Sequence, residues 1–136
     1  MTLYFCIGTG KSATVVETVA QIVKLKPKAH ILITSRSNVA CDDVANRLLK
    51  YVSVNKILRL YSASFERKKR EKIDPNQKKI SKYHSLQEFC TARVIICTLV
   101  NCGRFVDAKI SKDDDDAKIP PEHFDYIFIG KYFHMK

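Results

Sequence analysis

Short runs rich in apolar residues recur along the chain and constrain its fold more than any other feature. Each run is four to six residues long, the length of a strand and too short for a typical helix. Within a run the apolar residues are mostly consecutive, as in strands that are covered on both faces of a parallel sheet. We therefore predict strands at Leu3–Ile7, His30–Thr34, Lys56–Tyr61, Arg93–Thr98 and Tyr126–Ile129.

Helical periodicity separates the first three of these strands. The apolar residues between positions 15 and 23 fall on one face of a helix over Ser12–Lys24, which Pro27 ends. Those between positions 41 and 49 repeat at the same spacing, after a polar stretch that offers N-cap residues. This alternation predicts an α/β fold with a mostly parallel, doubly wound sheet, in a single domain over residues 1–136.

Composition narrows the class of protein. The 136 residues are 46% hydrophobic, which excludes a wholly disordered chain. No apolar run is long enough to span a membrane, and the first residues lack the features of a secretory signal. The net charge of +10 favours a polyanionic partner such as nucleic acid. We expect an intracellular protein without a membrane partner.

The cysteines favour a structural interpretation. Cys6, Cys41, Cys90, Cys97 and Cys102 are odd in number, and no two of them form a C-x-x-C pair. A zinc site usually needs such a pair, and an odd number without a signal peptide suits a reducing compartment. We interpret these residues as small apolar side chains of the core.

A glycine loop follows the first predicted strand. Gly8-Thr9-Gly10-Lys11-Ser12 joins a strand to a helix, which is where a phosphate-binding loop belongs. Its amides and the helix N-terminus would attract phosphates, with Lys11 on the β- and γ-phosphates and Ser12 on Mg²⁺. The full pattern G-x-x-x-x-G-K-[ST] requires a glycine where Phe5 stands. A shorter anion-binding loop and a chance glycine turn both remain open from these residues.

Two charged segments interrupt the pattern. An insertion at about residues 65–82 holds eight Lys/Arg against three Asp/Glu, and we expect it to be exposed and partly helical. Its run Arg67, Lys68, Lys69 and Arg70 could contact an RNA backbone, serve as a nuclear import signal, or only keep a helix soluble. A loop at about residues 109–121 carries four consecutive aspartates, and we interpret it as solvated rather than as a metal site.

Several ordered segments resemble one protein family. The sequence is similar to Upf-like superfamily-one helicases, and within them to the Armitage and Mov type of RNA-silencing helicases. The similar segments are collinear and extend from about residue 3 to residue 129. They are the loop Gly8–Ser12, the motif-Ia-like Pro27–Leu32 and Ser37–Ala40, the segment Arg93–Arg104, and the Walker-B-like strand in His123–Ile129.

The resemblance implies the first RecA-like P-loop domain of an ATP-dependent RNA helicase, with ATP and Mg²⁺ as cofactors. It also implies RNA and RNA-silencing proteins as partners, and a cytoplasmic location that includes ribonucleoprotein granules, with the nucleus as the alternative. By motif match the phosphate- and metal-binding residues would be Gly8, Thr9, Gly10, Lys11 and Ser12, the last of them on Mg²⁺. By the same match the residues facing RNA would be Ser37, Asn38 and Thr98.

One departure from the family concerns catalysis. The Asp-Glu-Ala that follows the Walker B strand in the family is replaced by Gly130-Lys131-Tyr132. In the family, Asp orients Mg²⁺ and Glu positions the attacking water, whereas Lys131 would repel the metal by about 1–4 kcal/mol at roughly 4 Å. The second RecA-like domain, with its arginine finger, is not in this sequence. We therefore assign no catalytic residue and expect no catalysis by the chain alone.

Three hypotheses follow for the function. The chain is a nucleotide-binding helicase domain, a non-catalytic module that binds RNA or protein, or an unstable truncated fragment whose apolar surface is left uncovered. Binding of an ATP analogue separates the first hypothesis from the second. A cooperative unfolding transition separates both from the third.

Overall fold

The computed structural model describes residues 11–62, 75–81, 86–102 and 123–130. The predicted strand Leu3–Ile7, the acidic loop at 109–121 and most of the basic insertion lie outside these residues. Helices and strands alternate over the first part of the described chain, and two helices then precede the last two described strands. Their bounds are α1 Lys11–Leu25, β1 Ile31–Ser35, α2 Asn38–Leu48, a 3₁₀ turn Val54–Lys56, β2 Ile57–Arg59, α3 Pro75–Ile80, α4 Leu86–Thr91, β3 Val94–Thr98 and β4 Tyr126–Gly130.

The four described strands form one parallel sheet in the order β2-β3-β1-β4. β1 pairs along its full length with β3 on one side and β4 on the other, so that Ile31 lies opposite Val94 and Tyr126. This arrangement confirms the α/β prediction and its parallel sheet. It also brings the carboxyl ends of β1, β3 and β4 to the same edge.

Both faces of the sheet are covered, which explains the continuous apolar runs. Every residue of β1 and of β3 is buried. On one face α1 and α2 pack through Val19 and Leu48, both fully buried, against Ile31 and Ile33. The other face packs against α4 through Phe89, beside Leu32 and Ile95. Alternate residues of each strand therefore enter different apolar clusters.

The carboxyl-terminal end of the basic insertion is buried rather than exposed. The whole insertion was predicted to be exposed, but Ile80 at the end of α3 is only 1% exposed and joins the cluster under α1 and α2. α3 packs against α2 and β2. A single large apolar side chain therefore anchors this end of a charged segment to the core.

The element bounds are otherwise close to the predicted ones. β2, Ile57–Arg59, is shorter than the expected Lys56–Tyr61. The Leu60 amide still donates to the Ile96 carbonyl of β3 at 2.9 Å, and the Tyr61 hydroxyl donates to Asp42 in α2. Residues 99–102, which follow β3, are helical. Within the described part of the chain, no helix has the length and apolar character needed to cross a membrane.

Polar side chains cluster at the amino edge of the sheet. The backbone N–H of His30 donates to Asp125 Oδ2 at 2.9 Å. His30 Nδ1 lies 3.1 Å from the Ala92 carbonyl oxygen, and its Nε2 lies 3.3 Å from Arg93 Nη1, which fits a neutral ring with its hydrogen on Nδ1. The His123 ring lies 4.3 Å from the His30 ring, and its buried Nε2 has no hydrogen-bond partner among the described residues.

We expect this histidine pair to make stability depend on pH. Burial lowers the pKa of His123 below its ordinary 6.5, and His30 lowers it further. The unfolded chain therefore takes up a proton at His123 more readily than the folded chain, so the contribution to stability is full above about pH 6.5 and declines below it. His123→Gln should lose less thermal stability than the wild type on acidification from about pH 7.5 to about pH 5.5. Equal losses in the two proteins would contradict this origin.

Candidate functional site

The described part of the predicted phosphate loop lies at the start of α1. Gly8, Thr9 and Gly10 lie outside the described residues, as does the side chain of Lys11. The backbone of Lys11 begins the helix, and Ser12 is half-buried in its first turn. The unpaired amides of such a turn carry a partial positive charge that favours anions.

The direction of α1 shows which edge of the sheet its first turn lies near. Lys26, just after the last turn of α1, donates from Nζ to the Tyr126 hydroxyl at 2.7 Å, where β4 begins. That hydrogen bond raises the pKa of Lys26. Because α1 ends at the amino edge and packs along the strands through Val15, Val16 and Val19, its first turn lies toward the carboxyl edge. Lys11 and Ser12 are therefore at the end of α1 nearest the carboxyl edge.

The residues predicted to face RNA come together at that carboxyl edge. Ser35 ends β1 and lies opposite Thr98, the last residue of β3, although more than sixty residues separate them along the chain. Ser37 and Asn38 follow directly after β1 and begin α2. One edge of the sheet thus presents all three of the predicted positions, Ser37, Asn38 and Thr98.

Ser37 and Thr98 are both constrained by the fold. Ser37 is the N-cap of α2, with extended backbone angles (φ −121°, ψ 148°), and its Oγ accepts from the Ala40 amide at 3.1 Å. Thr98 is 8% exposed, so little of its side chain is accessible. The edge therefore has a defined backbone path at both positions.

A buried arginine, Arg59, holds the side chain of Asn38, and the sequence analysis did not identify this arginine. Arg59, the last residue of β2, is 0% exposed. Its Nη2 donates to Asn38 Oδ1 and its Nε to Asp42 Oδ1, each at 2.9 Å, while Nη1 donates to the Leu60 carbonyl. The only signal in the sequence is a charged residue inside an apolar strand, and it does not name the partners.

Tyr61 completes this arginine cluster, which consists of Arg59, Asp42, Asn38 and Tyr61. The Tyr61 hydroxyl donates to Asp42 Oδ1 at 2.6 Å, and its ring lies against the Arg59 guanidinium, 4.0 Å from centroid to carbon. Burial, and then the hydrogen bond to Asp42, raise the pKa of Tyr61 above its ordinary value. Asp42 therefore shares one carboxylate oxygen between an arginine and a phenol, which locks α2 to the end of β2.

Exposed side chains flank the ordered edge. Val39, in the first turn of α2, is 77% exposed, and Val100, in the helical residues after β3, is 74% exposed. Arg36 is also exposed, between β1 and the cap of α2. Two apolar side chains and a cation thus project beside Ser37 and Thr98, on a surface that the described helices leave uncovered.

The last described strand lacks a metal ligand at its carboxyl end. Gly130 ends β4 and pairs with Ser35 in the sheet, and it is the residue that the motif match sets against the Mg²⁺-orienting Asp of the family. Asp42, the nearby carboxylate of α2, is bonded to Arg59 and Tyr61. Of the residues expected to hold Mg²⁺, the described chain offers the Ser12 hydroxyl alone. These groups do not complete a Mg²⁺ site, and no hydrolytic step through the ion follows from them.

Comparison with known proteins defines the class. Residues 6–90 match the family described as "AAA domain". The chain is 32% identical over 133 residues to "Putative helicase mov-10-B.2" of Danio rerio and 31% identical over 133 residues to "Putative helicase MOV-10" of Gallus gallus, with 93% of the chain covered in each case. It is 38% identical over 53 residues, 39% of the chain and 8% of the relative, to "DNA polymerase alpha-associated DNA helicase A" of Saccharomyces cerevisiae.

Fold and similarity together identify a nucleotide-binding segment of the helicase type. The chain belongs to the AAA domain family and corresponds to a superfamily-one helicase-like first domain. It spans 12% of the Danio rerio relative and 13% of the Gallus gallus relative. Helicases of this superfamily use ATP and Mg²⁺.

We expect the arginine cluster to stabilise the fold far more than a surface ion pair. Arg59→Met keeps an apolar stem but removes the hydrogen bonds to Asp42 and Asn38, and it should lower the free energy of unfolding by about 3 kcal/mol. The matched control is Arg47→Met, whose pair with Asp43 is 3.2 Å long and about half exposed. That change should cost less than about 1 kcal/mol. Urea denaturation measures both, and equal losses would refute the assignment.

Proposed function

We propose that this chain is the part of an RNA helicase's first RecA-like domain that binds ATP and RNA without hydrolysing ATP on its own. The RNA-silencing helicases named above are the proposed functional class. The observation that carries the proposal is the convergence of Ser37, Asn38 and Thr98 on one carboxyl edge. In open parallel sheets ligands bind outside the carboxyl ends of the strands.

Nucleotide would bind at the start of α1. The loop residues would wrap the phosphates with backbone amides, Lys11 would neutralise them, and the Ser12 hydroxyl would contact Mg²⁺. Support comes from the α1 N-terminus, whose partial charge points toward the carboxyl edge. Gly130 cannot orient the metal, so binding is proposed and hydrolysis is not. The proposed phosphate-binding residues are Gly8, Thr9, Gly10, Lys11 and Ser12.

RNA would bind across the carboxyl edge. Backbone amides and the polar residues after β1 and β3 suit sugar and phosphate oxygens, and Val39 and Val100 offer apolar contacts to bases. Single-stranded nucleic acid is commonly held by a basic groove together with side chains that contact the bases, most often aromatic ones. The run Arg67–Arg70 would supply the basic part. Partners from RNA silencing and a cytoplasmic, granule-associated location belong to the same proposal, with the nucleus as the alternative.

The nucleotide part is tested by ligand-dependent thermal stability. An ATP analogue with Mg²⁺ should raise the melting temperature of the wild type, because a ligand that binds only the folded state stabilises it. Lys11→Ala should abolish most of this rise. The control is Lys24→Ala, an exposed residue in the last turn of the same helix. An equal rise in melting temperature in the wild type and in Lys11→Ala would contradict the nucleotide assignment.

The RNA part is tested by the salt dependence of binding. Replacing Arg67, Lys68, Lys69 and Arg70 by Gln should flatten the slope of log affinity against log salt by about 0.7 for each lost phosphate contact. The control replaces Lys24, Lys28, Lys50 and Lys56, four exposed lysines on the amino-edge side, and so removes the same charge. Identical slopes for both variants would exclude a local contact. Tighter binding of single-stranded DNA than of RNA of the same sequence would overturn the choice of RNA.

A further inference from the structure

The side-chain amide of Asn38 has an orientation that its neighbour determines. Asn38 Oδ1 accepts from Arg59 Nη2 at 2.9 Å. A guanidinium offers only donors, whereas the two ends of an amide offer an acceptor and a donor. The oxygen of Asn38 must therefore face Arg59, because the reverse orientation would set two N–H groups against each other. The Nδ2 group is in consequence turned away from the arginine.

Arg59 is itself held in place through its other nitrogen atoms. The side chain is 0% exposed, Nε donates to Asp42 Oδ1 at 2.9 Å, and Nη1 donates to the Leu60 carbonyl. The Tyr61 ring centroid lies 4.0 Å from the guanidinium carbon. Turning the guanidinium would leave buried donors without acceptors, which is costly. The orientation of an amide at the carboxyl edge is therefore set from the core of the protein.

The Nδ2 group of Asn38 is available to a ligand. Asn38 is half-buried at the start of α2, and within the part of the chain that the structure describes its Nδ2 donates to no other group. Nor is Nδ2 one of the described side-chain atoms that are buried without a partner. The neighbouring Ser37 differs, because its Oγ accepts from the Ala40 amide. Asn38 thus presents a donor at the carboxyl edge while its oxygen faces the buried arginine.

This one-sided donor limits what Asn38 recognises. An asparagine reads adenine by accepting with its oxygen and donating with its nitrogen at the same time. Asn38 cannot turn both atoms to a base, because its oxygen is held by Arg59. The phosphate and sugar oxygens of a nucleic acid accept hydrogen bonds and do not vary with sequence. The Nδ2 group therefore suits an oxygen of the RNA backbone.

We propose that Arg59 is a positioning residue for RNA, which fixes Asn38 so that Nδ2 donates to an oxygen of the RNA backbone without reading a base. Arg59 is fully buried, so it does not touch RNA and acts through Asn38. This role rests on the proposed RNA binding at the carboxyl edge and adds a specificity to it. The contact recognises RNA of any base sequence.

Asn38→Asp removes the donor without removing the contact to Arg59. One carboxylate oxygen still accepts from Nη2, and a negative charge in the first turn of a helix is favourable, so the melting temperature should not fall. The other oxygen would repel an RNA oxygen. Affinity for oligouridylate and for oligoadenylate of the same length, measured by fluorescence anisotropy, should fall by about tenfold or more in both cases.

The matched control is Asn55→Asp. It makes the same chemical change at an exposed residue of the 3₁₀ turn before β2, at the amino edge. The loss of affinity there should stay below about twofold, because salt screens a distant surface charge. Equal losses in the two variants, with a wild type that binds RNA, would overturn this inference alone. A loss confined to one oligomer would overturn the backbone contact. No binding by the wild type would overturn the proposed function and this inference with it.

The role of Arg59 is tested by combining changes. Glutamine both donates and accepts, so Arg59→Gln no longer fixes the amide, and adding Asn38→Asp to it should cost less than about threefold in affinity. Lysine only donates, so in Arg59→Lys the addition should keep its full cost. A purely structural arginine would instead give the same cost in each background. Circular dichroism establishes the temperature at which each variant is folded.

A measurement on the wild type does not depend on the folding of any Arg59 variant. In a ¹⁵N-labelled sample the side-chain amide signals of Asn38 are identified by their loss in Asn38→Asp. They should shift when oligouridylate is added, since the Nδ2 group is the donor. Unchanged Asn38 signals with bound oligouridylate would overturn the inference.

Discussion

The parallel register of β1 with β3 and β4 is the constraint on which the rest of this structure depends. Five consecutive residues of β1 pair on both sides, from Ile31 opposite Val94 and Tyr126 to Ser35 opposite Thr98 and Gly130. Because the strands are parallel and start level, they also end level. A shift of one residue would exchange the two faces and move Thr98 away from Ser35. The apolar clusters on the two faces oppose that shift, so the residues at the carboxyl edge keep their arrangement.

The arginine cluster extends this constraint to the edge strand. β2 is three residues long and pairs only with β3 among the described strands, so hydrogen bonding in the sheet holds it weakly. Arg59 compensates, since one guanidinium contacts Asp42 and Asn38 in α2 and the ring of Tyr61 beyond the strand. A buried arginine is costly unless its donors are satisfied, and here three of its nitrogen atoms have oxygen partners. The same contacts orient Asn38. The arginine that holds the edge strand against α2 therefore also shapes the proposed RNA edge.

Local patterns explain which parts of this architecture could be predicted. β1 and β3 were predictable because strands buried on both faces need apolar residues at consecutive positions, and the start of α2 because Ser37 has a capping side chain. The arginine cluster was not predictable, because its partners lie 17 and 21 residues apart and nothing local relates their positions. Ile80 was missed for a similar reason: one apolar residue in a basic run has no periodicity, and its burial depends on α3 reaching α2. The loop Gly8–Gly10 and the run Arg67–Arg70 remain predictions, since they lie outside the described residues.

Gly130 separates two abilities that helicase domains usually combine. Binding a nucleotide needs backbone amides and a cation at the start of a helix, and α1 supplies the beginning of such a site. Hydrolysis also needs a carboxylate that orients Mg²⁺ and another that positions water, and these act at the end of the strand where Gly130 stands. A glycine there leaves the pairing with Ser35 intact, so the edge keeps its shape while losing a negative charge. An edge without that charge repels phosphates less. If the family's carboxylate is replaced by Gly130, as the motif match implies, the change that would remove a step of hydrolysis would also make the carboxyl edge a better surface for a polyanion, in keeping with a basic chain whose proposed role is to bind.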